Sequence, residues 1–147
     1  DYVITVETKG IPIALMTAHI LNKPMVVVRN QSKLTDGTVI HMNYLTGSNR
    51  RIKTMCLSTN AIKKGSKVLF IDDFMKAGGT AKGIVDLMQE FEAELVGTGV
   101  LMSTKLPKEK RVKDYKTLLW LDKVDEIARE VNIYSAFDTL IEDVTDS

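Results

Sequence analysis

The chain has 147 residues and a formal net charge of +1, and this length argues for a single domain with one buried core. Its apolar fraction of 44% and charged fraction of 27% are those of globular proteins, which excludes a disordered or fibrous chain. The near-balanced charge gives no support to bulk, non-specific nucleic-acid binding. The single cysteine, Cys56, excludes a disulfide framework and a cysteine-rich zinc site, and it favours a reduced, cytoplasmic setting. No apolar run approaches the roughly 20 residues of a membrane span, and no residue pattern predicts a metal site.

Strand-like and helix-like segments alternate along the chain, a pattern typical of an α/β fold with a mostly parallel sheet and flanking helices. A β-branched run predicts the first strand at Tyr2–Val6. A buried helix is predicted over Ile13–Leu21, either after a turn at Gly10 and Pro12 or with Pro12 in its first turn. The apolar segment Met25–Val28 predicts a second strand, of the kind that is buried in parallel sheets.

The segment Thr38–Leu57 shows rough alternation on either side of a polar turn at Thr46–Asn49, which predicts a β-hairpin that could act as a mobile flap. Apolar residues recurring at helical spacing predict a helix over Ile84–Phe91. Residues 125–130 are ambiguous, with a helical tendency. Further strands are predicted at Val68–Ile71, Leu95–Met102, Thr117–Leu121 and Val131–Tyr134.

The most informative segment follows the predicted strand Val68–Ile71. Two carboxylates, Asp72 and Asp73, stand at the end of this strand, and a glycine-containing loop leads from them towards the next helix. In open α/β sheets ligands bind outside the carboxyl ends of strands. Backbone N–H groups of a glycine-rich loop can converge on a phosphate, helped by the positive end of the helix dipole. The loop therefore predicts a phosphate site, in which Thr80 adds a hydroxyl donor.

The two carboxylates cannot hold a phosphate themselves, because like charges repel. They suit sugar hydroxyls, for which carboxylates are good acceptors, or a Mg²⁺ ion that neutralises a diphosphate. A ligand with a phosphate at one end, vicinal hydroxyls in the middle and a diphosphate beyond would use the whole segment. The alternative is a plain strand-to-helix turn with no ligand.

The segment resembles the signature of the type I phosphoribosyltransferases, which has four hydrophobic residues, two acids and a small-residue loop. The resemblance covers most of the chain and implies the fold of that family, with the hairpin as its flap. It implies that the acids hold the ribose of phosphoribosyl pyrophosphate (PRPP) and that the loop cradles its 5-phosphate. The candidate PRPP-binding residues of this signature are Asp72, Asp73, Phe74, Met75, Lys76, Ala77, Gly78, Gly79 and Thr80.

Two further segments support the resemblance. Thr8, Lys9 and Gly10 follow the first strand, where the family has a loop that binds pyrophosphate. Arg29 and Lys33 follow the second strand, where relatives carry basic residues for the same group. Each residue taken alone would be an ordinary surface or turn residue, but their joint placement after strand ends favours a diphosphate site. No catalytic residue is assigned.

The signature departs from that of many enzymes of the family, in which Thr or another small residue stands at the position of Lys76 and a further Thr at the position of Ala77. Together with residues 8–12 and 44–50, it resembles the purine operon repressors of Gram-positive bacteria. That resemblance implies a PRPP-sensing effector domain, residues 1–147, truncated and without transferase activity, in a homodimer that binds operator DNA through a winged helix outside these residues. PRPP would be the inducer, with Mg²⁺ on its diphosphate and purine nucleotides as competitors.

Three functional readings are left open by the residues. The sensor is favoured, an active purine or pyrimidine phosphoribosyltransferase is the alternative, and a receiver-type signalling domain would not explain the glycine loop. A charged segment, the basic excursion Lys105–Lys116, is either a solvated loop or a contributor to DNA-backbone attraction. Its bases are Lys105, Lys108, Lys110, Arg111, Lys113 and Lys116, against Glu109 and Asp114.

Overall fold

The computed structural model describes residues 1–33, 37–46, 51–125, 127 and 129–137. The described strands are β1 (Tyr2–Val6), β2 (Met25–Val28), β3 (Val39–Thr46), β4 (Arg51–Ser58), β5 (Lys67–Met75), β6 (Glu94–Thr104), β7 (Lys116–Asp125) and β8 (Glu130–Ser135). The described helices are α1 (Ile11–Leu21) and α2 (Gly79–Glu90). In this part of the chain no helix is both long enough and apolar enough to cross a membrane.

Six strands form one sheet in the order β2-β1-β5-β6-β7-β8. All neighbours in it are parallel except β7 and β8, which pair antiparallel at one edge. The remaining strands, β3 and β4, form a separate antiparallel hairpin with Tyr44 opposite Lys53. The predicted class, a mostly parallel α/β sheet with helices and a hairpin, is confirmed. Part of the turn predicted for the hairpin, residues 47–49, lies outside the described residues.

Helix α2 packs on one face of the sheet, as its apolar spacing predicts. Ile84, Leu87 and Met88 are all buried, at spacings of three and four residues that place them on one side of the helix. They join a core that includes Phe70 on β5 and Met55 on the hairpin. The hairpin is thereby anchored to the main body at its base through the same core.

Helix α1 is not the buried helix that its apolar composition predicts. Its buried residues are Ala14 and Ala18, which pack with Val3 of β1, while Met16 is 58% and Ile20 is 76% exposed. The two small side chains, one turn apart, let the helix approach the sheet closely, so its larger side chains point away from it. The helix begins at Ile11, which confirms that Pro12 lies in the first turn.

Several other elements differ from their predicted bounds: α2 begins at Gly79 rather than Ile84, and β6, β7 and β8 extend beyond the predicted strands. Strand β5 continues to Met75, because its backbone stays paired with β6 as far as Ser103. Asp72 and Asp73 therefore lie within the C-terminal part of β5 rather than beyond its end. The helical tendency of residues 125–130 is wrong for the described residues there, since β7 ends at Asp125 and β8 begins at Glu130.

Candidate functional site

Two neighbouring cavities lie where β1 and β5 end. The larger has a volume of about 490 Å³ and the smaller about 280 Å³. Both are lined by Asp72, Phe74 and Thr80, so they form one continuous depression around the acid pair. The location agrees with the rule that open α/β sheets bind ligands beyond the carboxyl ends of their strands.

The acid pair sits at the centre of this depression. Asp72 is largely buried, and this burial raises the pKa of its carboxyl from 3.8 to about 7. The backbone N–H of Asp73 donates to Asp72 Oδ1 at 2.9 Å, which opposes the rise, whereas the side chain and charge of Asp73 add to it. A carboxylate that is short of hydrogen-bond donors in this way is well suited to accept them from the hydroxyls of a ligand.

The smaller cavity is built by the end of β5 and the start of α2. Beyond the acids it is lined by the predicted phosphate loop, namely Met75, Lys76, Ala77, Gly78, Gly79 and Thr80. Gly78 caps α2 with a φ of +81°, a left-handed conformation that a side chain would disfavour. The helix itself begins at Gly79, so its unpaired N–H groups and the positive end of its dipole face this region. The arrangement suits an anion such as a phosphate monoester.

The larger cavity extends from the acids to the loop after β1. Thr8 and Lys9 line it, together with Glu7, and the peptide bond between Glu7 and Thr8 is cis. Gly10 lies beneath them at the start of α1. A Cβ atom on Gly10 would lie 2.5 Å from Thr5 Oγ1 and 2.8 Å from Asp72 Oδ1. The absence of a side chain at this position therefore lets the loop close on the ribose-binding acid predicted from the sequence.

The hairpin supplies the opposite wall of the larger cavity. Tyr44, Thr46 and Lys53 line it, and the pKa of Tyr44 is raised by burial and by the charge of Asp72. The carbonyl oxygen of Leu45 approaches so close to the phosphate loop that a Cβ on Gly79 would lie 1.8 Å from it. The hairpin thus lies over the site, as a flap would.

The structure brings most predicted site residues together, but it leaves two apart. Neither Arg29 nor Lys33 lines either of the two cavities. The backbone of Arg29 instead pairs with Cys56 at the base of the hairpin. The position after β2 that does reach the larger cavity is Asn30, whose N–H donates to Glu7 Oε1 at 2.6 Å.

Several lining residues were not predicted as site residues: Glu7, Asn30, Tyr44, Thr46 and Lys53. The pairing of Tyr44 with Lys53 across the hairpin puts both side chains on one face, so alternation along the hairpin was the available signal.

A resident metal cage is not formed by these residues. In the part of the chain that the structure describes, no group of three or more His, Cys, Asp or Glu side chains could hold an ion. Asp72 and Asp73 offer hard oxygen donors, which fit a Mg²⁺ ion that arrives already bound to a diphosphate.

Comparison with known proteins places this geometry in context. The phosphoribosyl transferase domain family matches residues 1–136. The chain is 45% identical over 133 residues to the purine biosynthesis transcriptional repressor PurR of Bacillus subtilis, covering 90% of this chain and 47% of that protein. It is 40% identical over 133 residues to the purine biosynthesis transcriptional activator PurR of Lactococcus lactis, covering 90% and 49%. The chain thus spans about half the length of these curated relatives.

Phosphoribosyltransferase enzymes are also similar to this chain. Xanthine phosphoribosyltransferase of Lactococcus lactis is 35% identical over 101 residues, which is 68% of this chain and 51% of the enzyme. Among solved structures, adenine phosphoribosyltransferase from Saccharomyces cerevisiae, complexed with an imino-altritol bisphosphate and adenine, superposes with a TM-score of 0.71 at 27% identity. That match covers 80% of this chain and 66% of the enzyme.

Proposed function

The chain belongs to the phosphoribosyl transferase domain family, and from this premise we propose that it is the PRPP-binding effector domain of a transcriptional regulator of purine biosynthesis. PRPP carries a 5-phosphate, ribose hydroxyls and a diphosphate in sequence. The observation that carries the proposal is the continuous depression in which a glycine loop, an acid pair and a β1 loop with a lysine follow one another in the same order.

Each part of the depression has one chemical task. N–H groups of Ala77 to Thr80 donate to the 5-phosphate. Asp72 and Asp73 accept hydrogen bonds from the ribose hydroxyls. Lys9 and Lys53, which line the larger cavity from opposite sides, balance the charge of the diphosphate with its Mg²⁺. Arg29 and Lys33 are weaker candidates for binding the diphosphate, because neither lines either of the two cavities.

Regulation of transcription is supported by the relatives. Those that match 90% of this chain are named as regulators of purine biosynthesis, one as a repressor and one as an activator. Because the chain spans about half of their length, we assign DNA binding to a separate winged-helix domain and dimerisation to the whole cytoplasmic protein. We propose repression, with PRPP as the inducer that lowers operator affinity.

The mechanism requires that PRPP binds differently to two states of the protein. A ligand shifts an equilibrium only by its difference in affinity for the two states. The hairpin is the natural moving part, because its Leu45 carbonyl lies against Gly79 while Tyr44 and Lys53 face the diphosphate region. A purine nucleotide with a 5′-phosphate would compete for the same loop, with its base near the half-exposed ring of Phe74.

An active phosphoribosyltransferase is the second candidate, favoured by the 35% identity to a xanthine enzyme. Against it stands Lys76, which adds a charge to the phosphate loop at a position where many enzymes of the family carry a small residue. Incubation of the protein with PRPP, Mg²⁺ and adenine, xanthine, guanine or orotate distinguishes the enzyme from the sensor. Pyrophosphate release that depends on one base, at about 1 s⁻¹ or faster as in ordinary enzymes, would favour the enzyme.

The sensor is tested on the natural full-length protein by its affinity for DNA upstream of purine biosynthesis genes, measured with and without PRPP. We expect PRPP to weaken binding at least tenfold. Binding strengthened by PRPP would identify an activator-type response, which contradicts the repressor. An operator affinity that PRPP does not change would overturn the proposal that this protein is a PRPP sensor.

A further inference from the structure

The basic excursion Lys105–Lys116 is fastened to the outside of the phosphate loop. Lys110 is half-buried, although the residues on either side of it are exposed. Its Nζ donates to the carbonyl oxygen of Lys76 at 2.5 Å, to the carbonyl oxygen of Thr104 at 2.6 Å and to Thr104 Oγ1 at 3.1 Å. All three donor positions of the ammonium therefore have acceptors, which offsets the loss of water that lowers the pKa of Lys110.

The next residue makes a second bond to the same loop. The backbone N–H of Arg111 donates to the carbonyl oxygen of Ala77 at 2.8 Å. The excursion also closes on Gly78, where an added Cβ would lie 3.3 Å from the Arg111 nitrogen. Three consecutive loop residues are thus in contact with the excursion.

These bonds set the direction of the loop's N–H groups. A trans peptide unit is planar, and its C=O and N–H point in opposite directions. With the carbonyls of Lys76 and Ala77 drawn towards the excursion, the N–H groups of Ala77 and Gly78 point to the other side. Ala77 and Gly78 line the smaller cavity, and no residue of the excursion does so.

We propose that Lys110 is a positioning residue of the PRPP site: its ammonium orients the Lys76–Ala77 peptide plane directly, and by fixing the excursion it keeps the Arg111 N–H on the Ala77 carbonyl, so that the N–H groups of Ala77 and Gly78 converge on a phosphate monoester. The inference rests on the proposed function, in which this loop takes the 5-phosphate. Its ligand is either PRPP or another sugar 5-phosphate, because only the phosphate monoester contacts the oriented groups.

The test compares Lys110→Met, an unbranched side chain of nearly the same length that lacks the donors, with Lys110→Arg, which retains donors. Lys108→Met, an exposed lysine of the same excursion, is the matched control. Affinity for PRPP and for ribose 5-phosphate is measured by calorimetry. Exchange of the Arg111 amide is followed by NMR in the free protein, as a readout that does not depend on any ligand.

For Lys110→Met we expect affinity for both ligands to fall about tenfold, from lost orienting bonds of charged type, and exchange of the Arg111 amide to accelerate about tenfold. The affinity and the amide exchange rate of Lys110→Arg should each stay within about threefold of the parent's, and those of Lys108→Met should equal the parent's. Unchanged affinity in Lys110→Met would overturn the proposal, as would equal losses in the Met and Arg variants, which would indicate packing rather than donation.

Failure of the proposed function has a different signature. If the parent protein does not bind PRPP or ribose 5-phosphate, the function is wrong. The exchange rate of the Arg111 amide then decides by itself whether Lys110 holds the loop, and an unchanged rate in Lys110→Met contradicts that role.

Discussion

Replacement of Asp72 by Asn is expected to remove a pH-dependent loss of stability that the site imposes on the fold. Burial raises the pKa of Asp72 to about 7 in the folded protein, against 3.8 when unfolded; the backbone N–H of Asp73 opposes this rise, and the side chain and charge of Asp73 add to it. Between these values the folded state holds a proton that the unfolded state has released, so the free energy of unfolding falls as pH rises through this window. A difference of about three pKa units corresponds to about 4 kcal/mol at pH 8 and above.

The assay is urea unfolding of the parent, Asp72→Asn and Asp73→Asn at pH 5, 6, 7 and 8. About 2–3 kcal/mol of the loss falls between pH 5 and pH 8 by the same linkage. We expect Asp72→Asn to be more stable than the parent, by an amount that grows over this range. Asp73→Asn is the control and should keep most of the parent's slope. A curve for Asp72→Asn that runs parallel to the parent, or below it at pH 8, would refute the reasoning.

The same titration predicts a link to ligand binding. Hydroxyl donors favour the ionised carboxylate, so PRPP should bind more tightly as pH rises through 7 and should release about half a proton at pH 7. Calorimetry in two buffers of different ionisation enthalpy measures this release. Proton uptake on binding would contradict the assignment of Asp72 as an acceptor.

Three other substitutions, one with a matched control, test separate parts of the structure. Gly78→Ala should cost about 1–2 kcal/mol of unfolding free energy because its φ is +81°; an unchanged midpoint in urea would contradict the left-handed cap. Ile84→Ala should cost about 2–5 kcal/mol, because the side chain is fully buried, whereas Ile52→Ala at a 71% exposed position should stay within about 0.5 kcal/mol; equal losses would argue against the assigned core. Lys53→Met should weaken PRPP binding about tenfold at low salt and less at high salt, and a salt-independent loss would argue against its electrostatic role.

Local sequence patterns predicted the strands that are continuous runs of apolar, β-favouring residues. The strands Tyr2–Val6 and Met25–Val28 have the predicted bounds because each is a continuous run of β-favouring residues in the parallel part of the sheet. That the glycine loop and the acid pair would lie together was predictable for a related reason. Their residues are contiguous in sequence, and one strand-to-helix connection brings them together.

The parts of the fold and site that local patterns did not predict depend on contacts between segments that are distant in sequence. The apolar side chains of Ile13–Leu21 predict burial, but the helix faces the sheet with Ala14 and Ala18, and small residues give a weak signal in a helix that is apolar all round. Alternation along the hairpin places Tyr44 and Lys53 on one face, but which face turns towards the site depends on how the hairpin lies on α2, and no local pattern encodes that. Asn30 lines the cavity and Arg29 does not, while the backbone of Arg29 pairs with Cys56, a contact between segments that are distant in sequence.

The central claim is that this chain binds PRPP across its acid pair and phosphate loop. Calorimetric titration of the protein with PRPP in the presence of Mg²⁺, alongside Asp73→Asn, tests it most directly. We predict saturable binding of one PRPP per chain, weakened at least tenfold by the substitution. No saturable binding by the parent, or equal affinity in the variant, would contradict the claim.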